Sequence, residues 1–264
     1  MSEFFREERK RRRRLLRGEQ PISRLFPNMI TLAGLCCGLS AVRFAMLGRW
    51  EIAVSFIIAS ALLDGMDGRV ARMLGATSIF GAQLDSLSDF LCFGIAPPLV
   101  IYMWQLQSIH GLGWAVVLFF AVSAALRLAR FNTALFDDNK EEWEKQFFVG
   151  VPSPAGGILC LLPLILSFNF QDFTPHAAAT IGYLLVIGSL MPSRIPTFAG
   201  KHLRIRHEYI APFMMGCSVL LVVFIIDPWG LLSLLSIAYL GSIFFSVRRW
   251  KTLKAASVSH GESS

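Results

Sequence analysis

Eight predominantly apolar stretches, near 28–47, 51–73, 82–105, 112–132, 154–169, 176–192, 208–226 and 229–247, dominate this sequence. Most of them approach the ~20 residues that a helix needs to cross the hydrocarbon core of a bilayer. In hydrocarbon every backbone N–H and C=O must find its partner within the protein, which leaves closed barrels and helices as spanning structures. Runs of this length without alternation of polar and apolar positions predict helices. The expected fold is therefore all-α, a polytopic membrane bundle of about eight transmembrane helices. Composition agrees, because 54% hydrophobic and only 16% charged residues, with a mean hydropathy of +0.55, exclude an ordinary soluble domain.

Lysine and arginine favour the cytoplasmic flanks of membrane spans. With the N-terminus on that side, eight crossings return the C-terminus to it. The basic residues then fall in the cytoplasmic segments at 6–24, at Arg69 and Arg72, Arg127 and Arg130, Lys140 and Lys145, and in 194–206 and 248–254. Of 25 basic residues only Arg43 and Arg49 lie toward the opposite face, and the turns at 105–111, 169–175 and 227–230 carry none. This topology accounts for the net charge of +7, and no aromatic-basic surface points to a nucleic-acid partner. The five cysteines lie in or beside apolar runs without paired metal-ligand spacing, which reads as small buried apolar residues. The first run is of spanning length and lacks a small-residue cleavage pattern, so it is expected to be retained as a span.

Three regions are expected: a basic amphipathic cytoplasmic N-terminal segment over 1–26, a transmembrane domain over 27–250 and a cytoplasmic tail over 251–264. The N-terminal segment reads equally as a helix lying on anionic lipid or as an anchor for the first span. The polar stretch 133–151 reads as a cytoplasmic connection with room for a short interfacial helix.

Against this background the run Asp64-Gly65-Met66-Asp67-Gly68-Arg69-Val70-Ala71-Arg72, followed by Gly81-Ala82-Gln83-Leu84-Asp85-Ser86-Leu87-Ser88-Asp89, stands out. Carboxylates at membrane depth are costly, and four so close in sequence demand compensation. Asp64 and Asp67 are three apart and Asp85 and Asp89 four apart, so each pair projects from one helix face. Two such pairs on antiparallel neighbours can converge near the cytoplasmic boundary. Oxygen ligands without His or Cys favour Mg2+ or Mn2+, and shared carboxylates suit two ions about 3.5–4 Å apart. Gly65, Gly68 and Gly81 remove side chains where a phosphate or a backbone must come close. Arg72 offers a fixed cation with bidentate geometry for phosphate oxygens, and Ser78 adds a hydroxyl. The set describes a pocket for a polyanion held by metal. Ion pairing with Arg69 and Arg72 alone would leave two of the four acids uncompensated. An acid-lined cation transporter is the reading from another class, and it does not account for the spacing of the glycines and arginine.

The pattern Asp64-x-x-Asp67-Gly68-x-x-Ala71-Arg72, eight residues, then Gly81-x-x-x-Asp85-x-x-x-Asp89, resembles the complete signature of the CDP-alcohol phosphotransferases. The resemblance implies that Asp64, Asp67, Asp85 and Asp89 hold two divalent cations, Mg2+ or Mn2+, over the pyrophosphate of a CDP-activated lipid. It further implies that Asp89 is the catalytic base and that Gly68, Arg72 and Ser78 contact the CDP moiety, with Gly81 beside them. Pro27-Asn28-Met29-Ile30-Thr31 is similar to an element that lies near the nucleotide in the family, which adds Asn28 and Thr31 to the CDP-lipid set; an ordinary helix start is the alternative. Members are commonly homodimers, and a multi-pass protein of a bacterial cell membrane with its active site facing the cytoplasm is the implied setting.

Three further segments narrow the branch: Asp85-Ser86-Leu87-Ser88-Asp89-Phe90 with Phe93-Gly94-Ile95-Ala96-Pro97, then Arg127-Leu128-Ala129-Arg130-Phe131-Asn132, then Phe148-Val149-Gly150-Val151-Pro152-Ser153-Pro154-Ala155-Gly156. They look like the branch that transfers the phosphatidyl group of CDP-diacylglycerol to L-serine. Arg127 and Arg130 can supply a cation for the serine carboxylate, or serve only as positive-inside anchors. Asn132 and Ser153 can contact the amino group or hydroxyl. Glycerol 3-phosphate and inositol phosphate are the alternative acceptors, and both call for a more basic cavity.

Overall fold

The computed structural model describes residues 25–134, 147–170, 173–193, 196–198 and 209–261. Helices occupy the apolar runs: α1 Phe26–Met46, α2 Trp50–Met73, α3 Ile79–Asp89, a π-helical segment Phe90–Ile95, α4 Ala96–Trp104, α5 His110–Ala134, α6 Ser153–Cys160, α7 Leu162–Asn169, α8 Ala177–Leu190, α9 Ile210–Ile226 and α10 Pro228–Gly261. The all-helical expectation holds, with one small departure among the described residues. Strands β1 Phe147–Val149 and β2 Pro196–Phe198 pair antiparallel, Phe148 opposite Thr197, and the ribbon rests on α10. Most of the polar connection before β1 and nearly all of the basic N-terminal segment lie outside the described residues, and helix α10 continues into the stretch expected as a tail.

Among the described residues three helical stretches are long and apolar enough to cross a membrane, Phe26–Met46, Ile79–Trp104 and Gly111–Thr133, and Ala177–Leu190, Ala211–Ile226 and Pro228–Ile243 are shorter apolar helices. Helix α2 has the length, 24 residues, but it carries Glu51, Asp64, Asp67, Arg69 and Arg72, and these charges dilute its hydropathy. The run expected to span from 154 to 169 is two eight-residue helices. Pro163 has no N–H to offer the Leu159 carbonyl four residues back, and the Tyr183 hydroxyl donates to that carbonyl instead, at 2.8 Å. On α9 nearly every large apolar side chain from Phe213 to Ile226 is exposed, the pattern of a helix whose solvent is hydrocarbon.

Two glycines set the turns that aim the carboxylate helices. Gly48 ends α1 at φ +69°, with Arg49 N–H on the Phe44 carbonyl and Gly48 N–H on that of Ala45. Gly75 ends α2 in the same way at φ +57°, with Ala76 N–H on Ala71 and Gly75 N–H on Arg72. Both are Schellman closures, which need the left-handed backbone that glycine adopts without strain. Three residues past Gly75, Ser78 caps the next helix, its Oγ accepting from Gly81 N–H at 3.0 Å. Helix α3 is thus turned back tightly after α2, while α1 packs along α2 and against α3.

The π-helical segment has an equally local cause. Pro97 and Pro98 cannot donate to the carbonyls of Phe93 and Gly94, and the chain widens ahead of them, with Ala96 N–H reaching the Leu91 carbonyl five residues back. The widened turn is gripped by small residues on three sides. An added Cβ would lie 2.5 Å from Cys92 Sγ at Gly38 of α1, 3.1 Å from Phe93 Cα at Gly157 of α6, and 2.8 Å from Ala124 Cβ of α5 at Gly94. Phe93 is fully buried there, in one core with Ile57, Ile101, Phe120, Leu159 and Ile187. Because Asp89 immediately precedes this segment, its packing sets where that carboxylate stands. Gly38→Val should therefore separate α1 from the π segment and cost about 1–3 kcal/mol of stability. A melting temperature in detergent equal to that of the wild type would contradict this.

Candidate active site

The four aspartates meet. One oxygen each from Asp64, Asp67 and Asp85 lie within 4.8 Å of one another, and the Asp64 carboxylate stands beside those of both Asp85 and Asp89. The helical spacing explains the convergence: the pair on α2 and the pair on α3 project toward each other across the capped turn. Helix α1 supplies the third wall. Thr31 Oγ1 donates to Asp67 Oδ2 at 2.7 Å, and Ser88 Oγ donates to the Thr31 carbonyl at 3.4 Å, tying α1 to α3 at the level of the acids.

Carboxylates this close repel one another strongly unless positive charge or protons lie among them. The donor set is oxygen only, and Asp89 Oδ1 is shut off from solvent without a hydrogen-bond partner among the described residues. An orphaned acceptor beside three converging carboxylates fits a hard divalent cation of the Mg2+ or Mn2+ kind.

Around the acids, the space over α2 is open. A Cβ added at Gly65 or Gly68 would meet nothing within 4 Å, so no atom of the described residues fills the face beside Asp64 and Asp67. Gly81 differs: an added Cβ there would stand 2.9 Å from Asn28 Oδ1 and 3.2 Å from Ser78 Oγ, so Asn28, Ser78 and Gly81 form one polar corner. Arg72 is exposed and donates from Nε to the Gly68 carbonyl at 3.0 Å, a bond that does not use its two Nη groups.

The two arginines of α5 part company. Arg127 Nη1 donates to Ser153 Oγ, its guanidinium lies 5.8 Å from the Phe131 ring centroid, and its charge acts on Asp89 and Asp64. Its Nε is solvent-excluded and without a hydrogen-bond partner among the described residues. Arg130, which is exposed, donates from Nη1 to the Pro192 carbonyl beyond α8. Asn132 pairs with Ser86 Oγ at 3.2 Å, next to Asp85. The structure thus groups Arg127 and Ser153 with the aspartates, places Asn132 beside them through Ser86, and gives Arg130 a backbone contact through one of its donors.

Two features escaped the sequence. The hydrogen bond from Thr31 to Asp67 is one, since the sequence reads Thr31 as a contact to the CDP moiety or as part of a helix start. The π segment behind Asp89 is the other, although the Pro97-Pro98 pair signalled it.

Comparison with known proteins covers both halves of this arrangement. Residues 24–191, which contain all four aspartates, match the family model described as CDP-alcohol phosphatidyltransferase, and residues 208–243 match the one described as CDP-alcohol phosphatidyltransferase 2. Among curated proteins, the CDP-diacylglycerol-serine O-phosphatidyltransferase of Mycobacterium leprae is 36% identical over 233 residues, 88% of this chain and 77% of that protein. The protein of the same name from Mycobacterium tuberculosis is 36% identical over 242 residues, 89% of this chain and 83% of its own. The one from Bacillus subtilis is 35% identical over 162 residues, 61% of this chain and 85% of its own.

Proposed function

Because this chain belongs to the CDP-alcohol phosphatidyltransferase family, we propose that it transfers the phosphatidyl group of CDP-diacylglycerol to the hydroxyl of L-serine, releasing phosphatidylserine and CMP. Its all-helical, membrane-spanning character suits a lipid substrate that reaches the site from the bilayer. The observation that supports the reading most is that two groups at the aspartate cluster lack a hydrogen-bond partner among the described residues: the acceptor Asp89 Oδ1 and the donor Arg127 Nε. A small alcohol bearing a carboxylate answers both, its hydroxyl toward Asp89 and its carboxylate toward Arg127.

Asp64, Asp67, Asp85 and Asp89 would hold two divalent cations, Mg2+ or Mn2+. When bound, these would polarise the phosphoryl oxygens and neutralise charge on the departing CMP. The remaining work falls to the chain itself. Thr31 fixes the orientation of Asp67 through its hydrogen bond. The open faces of Gly65 and Gly68 admit the pyrophosphate close to α2, and Arg72 and the Asn28, Ser78 and Gly81 corner contact the CDP moiety. Asp89 takes the proton of the serine hydroxyl as its oxygen attacks the phosphorus that bears the diacylglycerol. The bond from that phosphorus to the CMP oxygen breaks, and the proton leaves Asp89 for water after phosphatidylserine departs. Ser153 holds the Arg127 guanidinium, and Arg127 orients the serine carboxylate. Arg130 and Asn132 support the pocket from Pro192 and Ser86.

The same reading places the site at the cytoplasmic face of a bacterial cell membrane, in a domain over 27–250 with eight spans, both termini in the cytoplasm and two copies forming a homodimer. The basic segment over 1–26 and the tail over 251–264 flank it on that side.

The test is direct: purified protein is incubated with CDP-diacylglycerol, Mg2+ or Mn2+, and L-serine, glycerol 3-phosphate or an inositol phosphate in turn, and CMP is measured. Release is expected with serine. Release with a phosphorylated acceptor alone would move the acceptor assignment, and ion flux without CMP release would replace the enzyme by a transporter. Arg127→Ala should raise the KM for serine about 10- to 100-fold, the loss of a charge-assisted hydrogen bond, with the KM for CDP-diacylglycerol little changed. A rise in the lipid KM alone would assign Arg127 to the nucleotide instead.

A further inference from the structure

We infer that Arg130 is a positioning residue of the acceptor pocket, holding Ser153 in place from the far side and, through Ser153, the guanidinium of Arg127, an inference that rests on the serine reading above. The two arginines leave α5 three residues apart, and their contacts close a ring. Arg127 Nη1 donates to Ser153 Oγ at the start of α6, and Arg130 Nη1 donates to the carbonyl of Pro192, two residues past the end of α8. Met191 joins these two ends. Its side chain, fully buried, lies on α6 at Gly156, where an added Cβ would stand 3.0 Å from its Sδ and its Cε. Its carbonyl oxygen lies on Gly150, where an added Cβ would collide with it and stand 3.0 Å from the Ser193 carbonyl oxygen. Gly150 takes φ +81°, so glycine meets two demands there, the left-handed backbone and the close approach. Ser153 is midway between Gly150 and Gly156 and only 1% exposed. Beyond the ring, strands β1 and β2 pair with Val149 opposite Pro196 and carry the junction of the two segments onward.

A serine side chain reaches its oxygen through a single torsion, so the backbone from Gly150 to Gly156 decides where the Ser153 hydroxyl stands. That backbone rests on Met191 and Ser193, which belong to a segment that has already left its helix. The Arg130 bond returns this segment to α5, the helix that carries Arg127. Without it the ring is open on one side, and the contact with Arg127 must hold Ser153 unaided. A guanidinium serves a carboxylate through donors in a fixed planar fork, and displacement of the fork weakens the pair. Arg130 is exposed and its bond is to a backbone oxygen. Its contribution to the acceptor thus runs through Ser153 and Arg127.

The experiment is a double-variant comparison on the full chain, with CDP-diacylglycerol and Mn2+ present and CMP release measured as L-serine is varied. Arg130→Ala should raise the KM for serine about tenfold and change the KM for the lipid by less than about twofold. Arg130→Lys keeps a charged donor for the Pro192 carbonyl and should recover to within about threefold of the wild type. In an Arg127→Ala background the same Arg130→Ala change should have almost no further effect on the serine KM, because the group it positions is gone. A direct contact between Arg130 and serine would instead multiply the two effects, and that outcome would overturn the inference while leaving the serine reading intact. An unchanged serine KM in Arg130→Ala, an equal rise for serine and lipid, or no recovery with lysine would overturn it in the same way. Gly156→Ala gives a second route that leaves α5 untouched, since its new Cβ pushes on the flexible end of Met191. The serine KM of that variant should rise about threefold with Arg127 present and not at all in the Arg127→Ala background. If Arg130→Ala does not fold, Gly156→Ala decides the matter, and an unchanged serine KM in it would overturn the inference. A wild-type protein that releases no CMP with serine would overturn both readings.

Discussion

Asp89→Asn is expected to lower serine-dependent CMP release by roughly 10³-fold while divalent-cation-dependent binding of CDP-diacylglycerol survives. Asparagine matches aspartate in shape, so the π segment behind it and the contacts of Cys92 and Phe93 should be undisturbed. What it loses is the ability to take a proton. The binding half of the prediction follows from the arrangement of the other three acids, since Asp64, Asp67 and Asp85 already bring their oxygens within 4.8 Å without Asp89. Turnover is read as CMP release, and binding as retention of labelled CDP-diacylglycerol in detergent with and without Mn2+. Normal turnover in the variant would remove Asp89 from the role of base. Loss of binding together with turnover would make it chiefly a cation ligand.

Much of this architecture was legible because its causes are local in the chain. Apolar runs of spanning length have only one ordinary solution in hydrocarbon, so each became helical. Two acids three apart and two acids four apart had to project from single helix faces, and the capped turn between Gly75 and Ser78 brought those faces together. The remainder depended on what one helix presents to another. Arg127 and Arg130 look alike in sequence, three apart on one helix. Only packing decides that Arg127 reaches Ser153 and faces the acids while Arg130 reaches the Pro192 carbonyl. Thr31 reads as a contact to the CDP moiety or as part of a helix start until the crossing of α1 over α2 sets its hydroxyl on Asp67. The break at Pro163 and the π turn ahead of Pro97 were written in the sequence as prolines, but apolar length alone concealed them.

Asp64→Asn should be at least as damaging as loss of the base, and by a different route. Asp64 is the hub of the cluster: it belongs to the close group with Asp67 and Asp85, contacts Asp89, and lies in the field of Arg127. Four carboxylates and one guanidinium leave three net negative charges, and two divalent cations turn that balance to plus one, a site ready for a pyrophosphate. With Asp64 neutral, cation affinity should fall about 100-fold, and both CDP-diacylglycerol binding and turnover should fall with it. Chelation of the wild-type protein should mimic the variant and be reversed by added Mn2+, whereas the variant should need far higher Mn2+ for partial recovery. Titration of Mn2+ followed by its paramagnetic resonance signal reads affinity without any turnover. Thr31→Val provides the graded case, because it leaves all four charges and removes only the 2.7 Å hydrogen bond to Asp67, so a loss of about tenfold is expected. Should Asp64→Asn bind Mn2+ as tightly as the wild type, the cluster would not be a cation site. Should Thr31→Val leave Mn2+ affinity unchanged but weaken nucleotide binding, Thr31 would belong to the nucleotide and not to Asp67.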